Sequence, residues 1–275
     1  MKIKTNDITM ACDDCGEGPA LLLIHGFPLN RQMWQPQLLP IAEAGYRVIA
    51  PDLRGFGATD APADGYSMDG FADDLIALMD ALKIERAVVG GMSMGGYILM
   101  NLLERHPQRV RAACFIATKS SADDEAGRAR RSAMAAEAER LGANPIIKIF
   151  AELLFAPGTM EERPDLIARV TSWMRDTNPR ALAGGLLAMR DRKDYTPLLP
   201  GFRQPSLVVA GALDRASSPH AVELLTAGLP CCESRIIDQA GHMVNMEKPE
   251  QFNAALLEFL GALAENAPGA ADLPE

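Results

Sequence analysis

The chain has 275 residues, 48% of them hydrophobic, enough to bury one large core with room for a small accessory domain. A formal charge of −9 argues against nucleic acid as a partner, because that needs clustered positive charge. No stretch reads as a membrane span or signal peptide: Met1–Asp7 is polar and the Leu21–Ile24 run is too short and too late, so a cytoplasmic protein is expected.

Ile3–Met10 reads as a first strand. Cys12-Asp13-Asp14-Cys15 follows as a turn with two reduced thiols, since zinc would need a second pair of ligands and a redox pair would need a helix start. The five cysteines, an odd number, do not suggest a disulfide framework. Leu21–His25 is a buried strand ending in Gly26, followed by a helix over Met33–Ala44 and a strand over Tyr46–Pro51. Ser67 caps a helix from Met68 to Leu82, with apolar residues at Phe71, Leu75, Leu78, Met79 and Leu82. A strand from Ala87 leads into a second helix that runs to about His106-Pro107, and Val110–Thr118 is the next strand. This alternation is the mark of a mostly parallel sheet with helices on both faces.

From Lys119 to Leu199 the alternation stops and the chain reads as helical. It resumes with the strand Ser206–Ala210, a helix near His220–Ala227, the strand Ser234–Asp238 (entered through Cys231-Cys232) and a helix over Pro249–Ala264. Residues 1–118 and 200–265 are therefore expected to form an α/β core, with 119–199 inserted as a helical lid and 266–275 as a frayed tail. The insert carries 13 Lys and Arg against 12 Asp and Glu, leaving 14 against 24 elsewhere. A near-neutral lid on an acidic body leaves an anionic substrate open, although ordinary surface variation accounts for the same difference equally well.

Chemistry concentrates in Gly91-Met92-Ser93-Met94-Gly95. An apolar β-prone run enters this Gly-x-Ser-x-Gly and a helix leaves it, the pattern of a nucleophile elbow. Side chains at 91 or 95 would collide across so tight a turn, and the helix start aims free amides at the serine. A serine needs a base, and four histidines compete. His25 comes too early in the chain, His106 sits at a helix end and His220 at an exposed helix start. His242, in the loop after the last strand, is the base by position. Asp214, just past the Ser206–Ala210 strand, is the orienting acid; Asp238 and Asp123 are its rivals. The order Ser…Asp…His fits this architecture. Backbone amides of Met94 and Phe27 are the candidate oxyanion hole.

These residues resemble the α/β-hydrolase fold superfamily, in its lid-bearing branch of esterases, lactonases, perhydrolases and carbon–carbon bond hydrolases. Five separated motifs carry the resemblance: His25-Gly26-Phe27-Pro28, Asp52–Asp60, Gly91–Gly96, the Gly211…Asp214…Pro219 strand exit and Gly241-His242. It implies a serine hydrolase of a small carboxylic ester, thioester or lactone, with no metal and no organic cofactor. Asp52–Asp60 is implied to be a structural turn. Haloalkane dehalogenases and epoxide hydrolases resemble the chain less, because they carry aspartate where Ser93 stands. A carbon–carbon bond hydrolase holding its substrate carboxylate through Arg190 or Arg192, a perhydrolase, and a triad-retaining small-molecule receptor are the other readings. Phe27, Trp34, Trp173 and the methionines 134, 160, 174 and 189 are candidates to line the pocket, with core packing as the alternative for most. Oligomeric state stays open.

Overall fold

The computed structural model describes residues 1–265, so the tail expected at 266–275 lies outside the described residues. Strands β1 (Lys2–Lys4), β2 (Thr9–Cys15), β3 (Ala20–Ile24), β4 (Arg47–Pro51), β5 (Ala87–Met92), β6 (Val110–Ile116), β7 (Ser206–Gly211) and β8 (Cys232–Ile237) form one sheet. Their order is β1-β2-β4-β3-β5-β6-β7-β8, with β2 antiparallel to both its neighbours and every other pairing parallel. The helices are α1 (Gln35–Glu43), α2 (Met68–Ala81), α3 (Met94–Arg105), α4 (Glu125–Leu141), α5 (Asn144–Leu153), α6 (Thr159–Glu162), α7 (Pro164–Arg175), α8 (Pro179–Arg190), α9 (Pro219–Gly228), α10 (Val244–Glu247) and α11 (Pro249–Glu265).

Successive side chains on a strand point to opposite faces, and both faces of this sheet are covered. Leu22, Ile24 and Val89 pack with α2, α3 and α9 on one side. Leu21, Leu23 and Val88 pack with α1 and α11 on the other. With two apolar faces to satisfy, β3 and β5 carry no polar alternation, which is why they read as continuous apolar runs. Ser67 Oγ accepts from the Gly70 amide at 2.9 Å to start α2, and Phe71, Leu75 and Leu78 then form its fully buried stripe.

Three local expectations are corrected. The first strand is broken in two, because the chain turns at Thr5, whose amide bonds the Ile8 carbonyl at 3.0 Å; β1 and β2 form a hairpin instead. Cys12 and Cys15 lie in β2, not in a turn. Residues three apart on a strand face opposite sides, so the two thiols diverge, one buried and one half-buried. The helix expected from Met33 begins as a 3₁₀ turn at Arg31, where Asn30 Oδ1 accepts from the Gln32 amide, and α1 starts only at Gln35.

The Asp52–Asp60 turn is held from below. The fully buried Asp52 carboxylate accepts from the amides of Arg31 at 2.7 Å and Ala58 at 2.8 Å, and pairs with the Arg31 guanidinium. Arg54 reaches the equally buried Asp74 on α2 through two hydrogen bonds of 2.6 and 2.8 Å. Its second partner, Asp7, is 61% exposed. Asp74→Ala therefore leaves a buried guanidinium short of its carboxylate and is expected to cost about 3 kcal/mol in urea unfolding. Asp7→Ala, at an exposed partner, is expected to cost under about 1 kcal/mol in the same assay.

Candidate active site

The parallel strands end at one edge of the sheet, and Ser93, Asp214 and His242 each follow a strand end there. Ser93 joins β5 to α3 at φ 53°, a left-handed backbone that a non-glycine residue adopts only under constraint. Its amide donates to Ile116 O at 2.9 Å, and its carbonyl accepts from Thr118 Oγ1 at 2.8 Å. A Cβ on Gly91 would collide with the Gly95 carbonyl, and one on Gly95 with the Ile24 carbonyl. The two glycines therefore let α3 start against β5 and the end of β3. Met94 is the first residue of α3, so its amide stands at the positive end of the helix.

His242 lies in the loop between β8 and α10 and is 3% exposed. Its Nδ1 is 2.9 and 3.0 Å from the two oxygens of Asp214. Asp214 Oδ1 also accepts from the amides of Ala216 at 2.8 Å and Ser217 at 3.0 Å. Burial pushes the Asp214 carboxyl up, but the His242 imidazole and those amides outweigh it and hold the group below the usual carboxylate range. With Nδ1 committed to an ionised carboxylate, Nε2 is the free ring nitrogen.

Ser93 and His242 line the same cavity, of about 280 Å³, which is small for a ligand site. Phe27, Met134, Phe150 and Met189 make its apolar wall. Lys119, Asp123, Arg130 and Arg131 make a charged one. Phe27 is fixed by edge contacts with Phe56 at 6.0 Å and Phe150 at 5.4 Å between ring centres. A larger hollow of about 600 Å³ lies behind Asp214 between α9 and β8, with no histidine in its lining.

Several candidates are placed elsewhere. Trp34 is fully buried, 6.3 Å from Phe252 between ring centres, on the face of the sheet covered by α11; Trp173 packs into the same core from α7. Neither indole lines the cavity, because both are spent on packing this core. Met174 also belongs to that core and Met160 is exposed on α6, leaving Met134 and Met189 at the cavity. Arg190 pairs with Asp191 at 2.6 Å. Arg192 is consumed by Asp123 at 2.8 Å, Met189 O at 2.6 Å and Ser121 O at 2.9 Å.

The other histidines have structural surroundings. His25 Nε2 accepts from the Leu53 amide at 3.0 Å and Nδ1 donates to Gly26 O at 3.0 Å, pinning the loop after β3. Complete burial pushes its pKa down and keeps it neutral. His106 sits 3.8 Å from Asp73 at the end of α3, and His220 is exposed beside Glu223. Asp238 is exposed past the end of β8.

Sequence reasoning passed over Glu247 and the charged wall. Glu247 accepts from Gly241 N at 2.8 Å, Ala156 N at 2.8 Å and Thr159 Oγ1 at 2.7 Å, tying the His242 loop to the chain around α6. Its signal was an acid five residues past His242 and just before Pro249. That of the wall was the run Arg128-Ala129-Arg130-Arg131.

Asp123 is 7% exposed at its side chain and meets Arg131, Arg192 and Lys119. Burial pushes its carboxyl up, yet hydrogen bonds from Arg192 and Arg131 prevail and hold it well below the usual range. A carboxyl depressed on folding stabilises the native state above its unfolded pKa of about 3.9, and that contribution is lost as the pH falls toward the native value. Asp123→Asn is expected to lower stability at pH 7 by about 3 kcal/mol, since it strands the buried Arg192. It should also flatten the loss of stability from about pH 4 to pH 2, read by urea unfolding across pH.

Comparison with known proteins matches this geometry to a family. The sequence model described as alpha/beta hydrolase fold matches residues 19–249. A thermophilic esterase from Thermogutta terrifontis, solved with malate bound, superposes with a TM-score of 0.92 at 32% identity, covering 96% of this chain and 98% of that one. The 3-oxoadipate enol-lactonase 2 of Acinetobacter baylyi is 29% identical over 86% of this chain and 87% of its own. An epoxide hydrolase of Caballeronia sordidicola is 29% identical over 94% and 92%. With a family match across most of its length and relatives that are hydrolases at comparable size, the chain belongs to the alpha/beta hydrolase fold family and is a hydrolase.

Proposed function

We propose that this hydrolase cleaves a small carboxylic ester, thioester or lactone through an acyl-enzyme on Ser93, with His242 as base and Asp214 as its orienting acid. The observation that carries this reading is the committed Nδ1 of His242, 2.9 Å from Asp214, in a ring that shares a cavity of about 280 Å³ with the serine at the start of α3. The esterase and enol-lactonase relatives support it. An aspartate in place of Ser93 would favour opening an epoxide by an ester intermediate; a serine there favours acyl transfer.

The steps follow from the positions. Ser93 Oγ attacks the substrate carbonyl while Nε2 takes its proton, and Asp214 stabilises the imidazolium that forms. The carbonyl oxygen becomes an oxyanion, held by the amides of Met94 and Phe27. As that tetrahedral species collapses, the bond to the leaving group breaks and Nε2 returns the proton to it. Water, deprotonated by Nε2, then attacks the acyl carbon; the bond to Ser93 Oγ breaks, the carboxylic acid leaves, and Nε2 returns the proton to Oγ. Helices α4, α5 and α8 contribute Arg130, Phe150 and Met189 to the cavity and act as its lid over the core.

Ser93→Ala is expected to lower kcat/KM for p-nitrophenyl esters at least about 10³-fold. Asp214→Asn, which turns the imidazole to the wrong tautomer, is expected to lower kcat about 10³- to 10⁴-fold. The small cavity calls for a short-chain optimum across acyl lengths. Retained turnover in a folded Ser93→Ala protein would sink the assignment.

A further inference from the structure

The charged wall of the cavity is cationic in balance. Lys119, Arg130 and Arg131 face one carboxylate, Asp123, within the lining, and the buried Arg192 adds a further cation behind it. On a chain of formal charge −9, this is the reverse of the average surface. The cations also differ in what they have left to offer. Arg192 is 1% exposed and spends its terminal nitrogens on protein oxygens. Arg131 commits Nε to Asp123, and its Nη1 approaches only the Met189 sulfur at 3.5 Å; among the described residues Nη2 has no protein acceptor. Arg130 has no carboxylate within ion-pair distance among the described residues. Two guanidinium groups with unspent donors therefore stand in the same small cavity as the serine.

A guanidinium presents parallel N–H groups in a planar fork that matches a carboxylate in a bidentate manner. Much of the remaining lining is apolar, from Phe27, Phe150, Met134 and Met189. A ligand matched to both has a short hydrocarbon body and one terminal anion. We infer that the substrate is an ester, thioester or lactone whose body carries a free carboxylate, and that Arg130 and Arg131 hold that carboxylate while the acyl carbon sits at Ser93. Lys119 adds its charge from the β6 exit. Asp123 keeps Arg131 turned into the cavity as a positioning residue and does not itself meet the anion. The inference rests on the hydrolase reading of Ser93 for its chemistry, but the anion site itself rests on the wall alone.

The test pairs two aryl esters of similar size, neutral 4-nitrophenyl butyrate and the anionic mono-4-nitrophenyl ester of succinate. Wild type is expected to favour the anionic ester in kcat/KM by tenfold or more. Arg130→Gln, at an exposed position on α4, should lower that ratio at least tenfold, and Arg130→Glu should invert it. Calorimetric titration of Ser93→Ala protein with succinate and, separately, inorganic phosphate reads the site without turnover. Succinate should bind, weakened tenfold or more by Arg130→Gln, while phosphate, lacking a body for the apolar wall, should not. Cleavage that favours the neutral ester overturns the carboxylate site and leaves the serine hydrolase standing. Succinate binding that requires Arg130, with neither ester cleaved by wild type, upholds the site and removes the ester reading. Equal binding of succinate and phosphate, or succinate binding indifferent to Arg130, overturns the proposal.

Discussion

The backbone of Ser93 is the constraint on which the rest of the site depends. A left-handed conformation at a residue with a side chain costs about 1–3 kcal/mol, and it persists only where surrounding structure over-determines it. Here the Ser93 amide is bound to the end of β6, its carbonyl to Thr118, and the glycines at 91 and 95 let strand and helix meet without a side chain between them. Ala117 at φ 45° and Gln239 at φ 55° repeat the left-handed turn just past β6 and β8. Three strands thus end in sharp non-glycine turns at the same edge. Each sends its chain away at once, which leaves room there for a cavity.

Two buried carboxylates then fasten the helical segment between β6 and β7 to that edge. Glu247 joins the His242 loop to Ala156 and Thr159, and Met243 N adds a bond to Leu154 O at 2.9 Å. On the cavity's other side, Asp123 joins the exit of β6 to α4 and to Arg192 past the end of α8. The helices over the cavity are consequently held near both the imidazole and the serine. Charge-assisted bonds of this kind lose more when one partner is removed than they contribute as a pair, because the survivor stays buried.

Much of the fold was legible because β3, β5, β6 and β7 are buried on both faces, and burial of that kind leaves an unmistakable apolar run. The N-terminal hairpin was not, since two short strands with a turn at Thr5–Ile8 look like one strand until hydrogen bonds decide. At the site, chain order was enough to bring Ser93, Asp214 and His242 to one edge, since parallel strands all finish there. Packing between elements is invisible to periodicity, which is why Trp34 and Trp173 stand as pocket candidates in the sequence while both pack into the core shared with α11. The same limit applied to the arginines. Helix α4 is rich in Ala and Arg and buries only Gly127, Ala135 and Ala138, so its sequence marks no face, and a reading of the chain stops at Arg190 and Arg192 without reaching Arg130 and Arg131.

Asp123 shows how a cationic wall is kept without collapse of the fold. Lys119, Arg131 and Arg192 converge on one carboxylate, and without it their mutual repulsion would be relieved by solvent only in part, since Arg192 is buried. One carboxylate against several cations is enough to order them and too little to neutralise them. A second acid beside Arg130 would have stabilised the wall further and erased its positive balance. Its absence among the described residues separates a charge network built only for stability from one that leaves donors facing the cavity.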